Sequence, residues 1–260
     1  MPVQGSLRRS RKEAGNMERI DSSSNARIKE WAKLLRKKER DLTGRFLAEG
    51  DHLIREAMEE GLVEVLISDH AEDYDFEPKI LVPEHVVGKL SASVSGAHSV
   101  AVCRQKNAVP EKTDRILILD GIQDPGNLGT LIRTAVSFRY DAVVCSMETV
   151  DLYNDKVIRS TQGSLFRIPV IRTDLEEYTA SLQRAGVCVI ATTLDNALPL
   201  KELQVPERFA VILGNEGNGV RRSLQDAADV RVRIEMTGFE SLNVAVAGGI
   251  MMYELRARVK

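Results

Sequence analysis

The chain has 260 residues, long enough for two domains of ordinary size, and 43% of them are hydrophobic and 28% charged. No apolar run approaches the roughly 20 residues that a helix needs to cross a bilayer, so no membrane-spanning helix is expected. The formal charge of −2 conceals an asymmetry: residues 1–45 carry 13 Lys and Arg against 6 Asp and Glu, which leaves 23 against 32 for the remainder. A basic end on an acidic body suits contact with a polyanion such as nucleic acid, although a solvated helix face would leave the same imprint.

Residues 1–18 are polar and rich in Arg and Ser, and are expected to form a disordered extension. From Ser22, SSSNARIKEWAKLLRKKERD sets Ile28, Trp31, Leu34 and Leu35 at helical spacing behind a Ser/Asn cap, which predicts a helix from about Asn25. Its cations, from Arg27 to Arg40, form the basic surface, and Trp31 falls on the apolar side as a core residue. FLAEG reads as a strand, DHLIREAMEEG as an amphipathic helix ended by Gly61, and VEVLIS as a strand. ILVPEHVVGKLSAS and SVAVCRQ add a strand, a short helix and another strand, which completes a small α/β domain over residues 19–105. KNAVPEKTD is polar and broken by proline, so a linker is expected at 106–113.

Residues 114–260 repeat the alternation. ILILD, AVVCS, IPVI, VCVIAT and FAVILG are near-continuous apolar runs, as strands covered on both faces should be. The helical patterns NLGTLIRTAVSF, DKVIRSTQGS, LEEYTASLQRAG and SLNVAVAGGIMMYELRARV intervene or follow. A largely parallel sheet is predicted, and such sheets bind ligands at the carboxyl ends of their strands. Cys103, Cys145 and Cys188 lie in apolar segments without C-x-x-C spacing, and His52, His70, His85 and His98 form no ligand-like pairs. Buried thiols in a cytoplasmic protein, and no metal site, are expected.

Three turns carry the polar groups that chemistry could use. In DPGNLGTLIRTA, Leu128, Leu131, Ile132 and Ala135 form an apolar stripe. Asn127 is placed to cap the helix, and Arg133, on the polar side, to reach back over the turn. FAVILGNEGNGV runs a strand into three glycines that let backbone amides approach a ligand, and Glu216 is the one carboxylate of that turn. It lacks the GK[ST] ending of a phosphate loop and the glycine order of a dinucleotide fingerprint. In ESLNVAVAGGIMMYEL, Ser241 or Asn243 starts a helix that is apolar nearly all round, which points to a subunit interface.

Taken together, NLGTLIRTA, LGNEGNGV about 85 residues later and ESLNVAVAGG resemble, in order, spacing and residue type, the three motifs of the SpoU family of RNA ribose methyltransferases. The N-terminal part is similar to the small substrate-binding domain that precedes the catalytic domain in many members. The resemblance implies a parallel α/β domain with a trefoil knot, which physical rules alone would argue against. It also implies a homodimer through the C-terminal helix, and methyl transfer from S-adenosylmethionine to a ribose 2′-hydroxyl. By matching position it implies that backbone groups around Thr192, Gly214, Ile234 and Leu242 hold the cofactor, and that Arg133, Asn127, Glu216, Ser241 and Asn243 form the catalytic set. Glu216 is expected to anchor Asn243 or Ser241 across the site. Asn218 stands where an acidic residue is common in relatives, a difference expected to tune the site. The RNA contacts are expected from Arg27, Lys29, Arg36, Lys37, Lys156 and Arg159, with ribosomal RNA the expected substrate. The competing readings are a transfer-RNA methyltransferase, a non-catalytic RNA-binding assembly factor, and a nucleotide-binding enzyme that uses GNEGNG for phosphate.

Overall fold

The computed structural model describes residues 17–92, 96–106, 109–238 and 241–258. All but the last two residues of the expected extension lie outside the described residues. Among those described, no helix is long and apolar enough to cross a membrane.

The first part comprises β1 (Glu18–Arg19), α1 (Ala26–Ala32), α2 (Lys37–Thr43), β2 (Arg45–Glu49), α3 (Asp51–Glu59), β3 (Val63–Ser68), β4 (Lys79–Leu81), α4 (Glu84–Leu90) and β5 (Ser99–Arg104). Its five-stranded sheet has the order β1-β4-β3-β5-β2, parallel from β1 to β3 and antiparallel on both sides of β5. The single helix expected from Asn25 is in fact broken. The Asn25 side chain accepts the Arg27 amide as predicted, but a 3-10 turn at Lys33–Leu35 and an extended Arg36 separate α1 from α2. A continuous helix could not bury Leu34 and Arg40 together. The break turns Leu34 inward, leaves Leu35 40% exposed, and frees the Leu34 carbonyl, which the buried Arg40 guanidinium then satisfies at 2.8 Å.

The second part comprises β6 (Arg115–Asp120), α5 (Pro125–Ser137), β7 (Ala142–Cys145), α6 (Asp155–Thr161), α7 (Ser164–Arg167), β8 (Val170–Arg172), α8 (Leu175–Arg184), β9 (Cys188–Thr192), β10 (Leu198–Pro199), β11 (Phe209–Gly214), α9 (Arg222–Ala227), β12 (Val230–Arg233) and α10 (Val244–Arg258). All seven strands are parallel, in the order β10-β12-β9-β11-β6-β7-β8. Side chains alternate between two cores. Leu117, Leu119, Val211 and Leu213 pack with Leu128 and Leu131 of α5 and Met251 and Met252 of α10, whereas Ile116, Ile118, Ala210 and Ile212 pack with Leu182 of α8 and Leu224 of α9. This double cover is why the strands read as unbroken apolar runs.

Two features of this architecture position a site. Strands β6 and β11 are neighbours in register, with Gly214 opposite Asp120, so the turns that follow them lie side by side although about 90 residues separate them in sequence. The first core also continues into the N-terminal part: it contains Phe46 of β2 and Leu53 and Ile54 of α3, and the Phe46 ring sits 4.8 Å from Tyr153 and 5.7 Å from Phe166.

Candidate functional site

After β6 the chain turns through Gly121 at φ 72° and enters α5 at Pro125. The cap of α5 differs from the sequence expectation. Proline, which has no amide hydrogen to lose, suits the first helical position, so the helix begins early and Asp124 caps it, accepting the Asn127 amide at 2.7 Å. The Asn127 side chain is thereby released for other partners. Its Nδ2 donates to Glu216 Oε1 at 3.1 Å, and its Oδ1 accepts from Asn243 Nδ2 at 3.0 Å.

These contacts join all three sequence motifs. Glu216 reaches Asn243 through Asn127. Burial alone would raise the pKa of the Glu216 carboxyl, but donation from Asn127 and from the amides of Glu216 itself, Gln123 and Asp124 outweighs it and holds the group below the ordinary carboxylate range. The group is a fixed anion at neutral pH. In the glycine turn, Asn215 Oδ1 accepts the amides of Gly217 and Asn218 at 2.9 and 3.1 Å, and its Nδ2 donates to the Gly121 carbonyl at 2.8 Å, which ties the two turns together. Gly214 has to be glycine, because a Cβ there would stand 2.0 Å from the Gly219 carbonyl carbon and from the Val220 nitrogen.

Beside this trio opens a cleft of about 450 Å³. Thr192, Gly214, Ile234 and Leu242, the four residues expected around a cofactor, all line it, and so do Ser241 and Asn218. Sequence reasoning missed Leu194, Asp195, Met236 and Gln225. Gln225 Nε2 donates to the Val220 carbonyl at 2.6 Å from the short helix α9, which has too few residues to leave a periodic signal. Asn243, not Ser241, caps α10, accepting the Ala245 amide at 2.9 Å. The helix is not buried all round: Val246, Ile250 and Tyr253 are exposed. Arg133 is exposed on α5, two turns beyond Asn127, and is outside the cleft lining.

The cations expected at RNA divide into two groups. Arg27 is paired with Glu18 and lies over the Trp31 ring at 4.9 Å, Lys37 is paired with Asp41 and Arg159 with Asp155. Lys29, Arg36 and Lys156 are exposed, and no carboxylate of the described residues pairs with them; Lys33, within the basic segment but not singled out from sequence, is in the same position. Trp31 is buried, as its place on the apolar side requires.

The cleft fits a cationic ligand of cofactor size. Its volume is in the range of small-molecule sites, Gly214, Gly217 and Gly219 line it, and its charged residues, among those described, are Asp195, Glu216 and Arg233, the last already donating to the Ala197 carbonyl. That balance suits sulfonium and ammonium groups better than a polyphosphate.

Comparison with known proteins gives two family matches. The SpoU rRNA Methylase family model matches residues 114–253, and a model described as an MRM3-like substrate binding domain matches residues 25–101. The chain is 41% identical over 247 residues to the 23S rRNA (guanosine(2553)-2′-O)-methyltransferase RlmP of Bacillus subtilis (strain 168), covering 92% of this chain and 100% of that protein. Among solved structures, an AdoMet-bound rRNA methyltransferase from Sinorhizobium meliloti superposes with a TM-score of 0.84 at 30% identity, covering 94% of this chain and 98% of the other. The SpoU methyltransferase AviRb from Streptomyces viridochromogenes, in complex with AdoMet, shares the fold with a TM-score of 0.77 at 24% identity, over 90% of this chain and 97% of its own.

Proposed function

The chain belongs to the SpoU rRNA methylase family, and from that premise we propose that it methylates a ribose 2′-hydroxyl of ribosomal RNA with S-adenosylmethionine as donor. The observation that carries this reading is the hydrogen-bonded set Glu216, Asn127 and Asn243 at the edge of a cleft lined by Thr192, Gly214, Ile234 and Leu242. Those four residues would hold the cofactor, which supplies a methyl group already activated by its sulfonium. The protein has then to align the sugar oxygen and favour its ionised form; holding reacting groups in near-attack geometry is worth ~7–11 kcal/mol. Asn127, gripped by partners on two sides, presents a fixed amide beside the cleft. An arginine guanidinium such as that of Arg133 is a poor proton acceptor. Its role is to bind the substrate phosphate and stabilise the developing alkoxide. Incubating the protein with labelled cofactor and ribosomal RNA, then mapping 2′-O-methylation, tests the reading. Label on transfer RNA alone would select the first alternative, and cofactor binding without transfer to any RNA would select the assembly factor.

The resemblance extends to four further points. The division at 106–113 into domains 19–105 and 114–260 is supported by the two family matches that flank it. Threading of the C-terminal segment into a trefoil knot is supported by its return from β12, near one edge of the sheet, to a position where Gly248 abuts Leu131 and Leu213. A homodimer through α10 is supported by exposed Val246, Ile250 and Tyr253, next to Phe138; sedimentation at the mass of one chain would count against it. Residence in the cytoplasm is supported by a ribosomal substrate and three free cysteines.

RNA affinity should depend on the free cations. Replacing Lys29, Lys33 and Arg36 together by alanine is expected to flatten the slope of log affinity against log salt by ~2–3, about 0.7–0.9 for each phosphate no longer neutralised. An unchanged slope in filter binding would place the RNA elsewhere.

Glu216→Gln is expected to cost stability in a pH-dependent way. Because the folded pKa is depressed below 4.5, the charged form stabilises the fold above the ordinary carboxylate range, and that contribution is lost as pH falls through the folded value. Urea unfolding should therefore show wild type more stable than the variant at neutral pH, with the gap closing as pH falls below the ordinary carboxylate range. A gap of constant size would show that the charge is not involved.

A further inference from the structure

We propose that the pair of buried Arg40 with half-buried Asp151 clamps the RNA-contacting helices α1 and α2 to the loop that supports the reacting turn, and thereby sets which nucleotide is presented at the cleft. The proposal rests on the reading of the chain as an RNA methyltransferase and adds to it a device for register.

In the sequence, Arg40 is one cation among many on a basic segment. In the structure it is 6% exposed. One guanidinium nitrogen donates to Asp151 Oδ2 at 2.5 Å and another to the Leu34 carbonyl at the break between α1 and α2. The Gln105 side chain in turn donates to the Arg40 carbonyl at 3.2 Å. Removing two charges from water is costly, and their mutual attraction seldom repays the cost as stability, so such a pair is better explained by the geometry it fixes.

The loop from Ser146 to Asp151 continues the connection. The Val150 amide donates to the Ile122 carbonyl at 2.9 Å, and the Glu148 carbonyl accepts Gln123 Nε2 at 2.6 Å. The Gln123 amide then donates to Glu216 Oε2 at 3.3 Å. Thus a run of hydrogen bonds and short backbone links leads from the α1–α2 break to the carboxylate that holds Asn127. A separate brace joins the same two parts near α3 and α7: Arg167 pairs with Glu56 and Glu59, and Lys106 pairs with Glu60 and donates to the Phe166 carbonyl at 2.6 Å. With that brace intact, loss of the clamp should alter the seating of α1 and α2 without detaching them.

The test uses the full-length protein and the variants Asp151→Asn, Arg40→Gln and the double variant. Expected are unchanged affinity for S-adenosylhomocysteine, a KM for RNA raised about tenfold with kcat altered less than threefold, and methylation spread to nucleotides next to the wild-type target. The double variant should be no worse than either single one, as for two groups that act as a unit. Asp151→Asn, which preserves shape, carries the test alone if Arg40→Gln does not fold. A folded Asp151→Asn protein with wild-type KM and a single methylated nucleotide would overturn the proposal. Should wild type transfer no methyl to RNA, the functional reading fails, while hydrogen exchange still reads the clamp. The Val150 and Gln123 amides should exchange about tenfold faster in Asp151→Asn, and unchanged exchange would overturn the clamp independently.

Discussion

Gly214→Ala should weaken cofactor binding about a hundredfold while leaving most of the fold intact. The added methyl would meet backbone, not the tip of a movable side chain: the Gly219 carbonyl carbon and the Val220 nitrogen each stand 2.0 Å away. That backbone has little room to retreat, since Asn215 and Gly219 exchange two hydrogen bonds of 3.0 and 2.9 Å. Overpacking a core site ordinarily costs ~1–3 kcal/mol, and a backbone clash belongs at or beyond the upper end. If the loop relieves it by opening, the amides around Asn215 leave the cleft, and a loss of ~3 kcal/mol is about a hundredfold in affinity. Calorimetric titration with S-adenosylhomocysteine, beside a circular dichroism spectrum to establish folding, measures this. Affinity within a few-fold of wild type would mean that the glycine turn does not form the ligand's cradle.

The second large effect is expected at Arg133. Arg133→Lys keeps the positive charge, so RNA affinity should be nearly unchanged, but it replaces a planar fork of five donors by a single ammonium. If the guanidinium stabilises an alkoxide that develops only as the methyl moves, the loss should fall on kcat, by about 10²–10³ as for the removal of an oxyanion donor. Single-turnover kinetics at saturating RNA separates this from binding. The exposed position of Arg133 on α5, away from the cleft lining, makes the result informative: near-normal turnover would leave Asn127 and Glu216 as the polar machinery and remove the arginine from it.

How much of this was legible beforehand depended on the range of the interactions. The strands of the parallel sheet could be read because burial on both faces leaves unbroken apolar runs such as ILILD and FAVILG. The four cleft residues came from the resemblance, and the structure places them on one surface although they span residues 192 to 242. What escaped was set by packing between distant segments. Asn127 looked like a cap because asparagine caps helices well; the choice of Asp124 instead depends on Pro125 starting the helix. The break at Lys33–Leu35 and the inward turn of Arg40 depend on Asp151, 111 residues away, which no local periodicity can announce. Lys33 resembled its neighbours in sequence, and only the distribution of carboxylates in space separates the free cations from those already neutralised.

The neighbouring placement of β6 and β11, with Asn243 completing the polar trio, also bears on biosynthesis. The turn after β6 leaves the ribosome about 90 residues before the turn after β11, and Asn243, which closes the set, follows Glu216 by a further 27 positions. A nascent chain therefore cannot close the hydrogen-bonded trio before Asn243 has been made, and until then Asn127 and Glu216 have at most each other as partners in it.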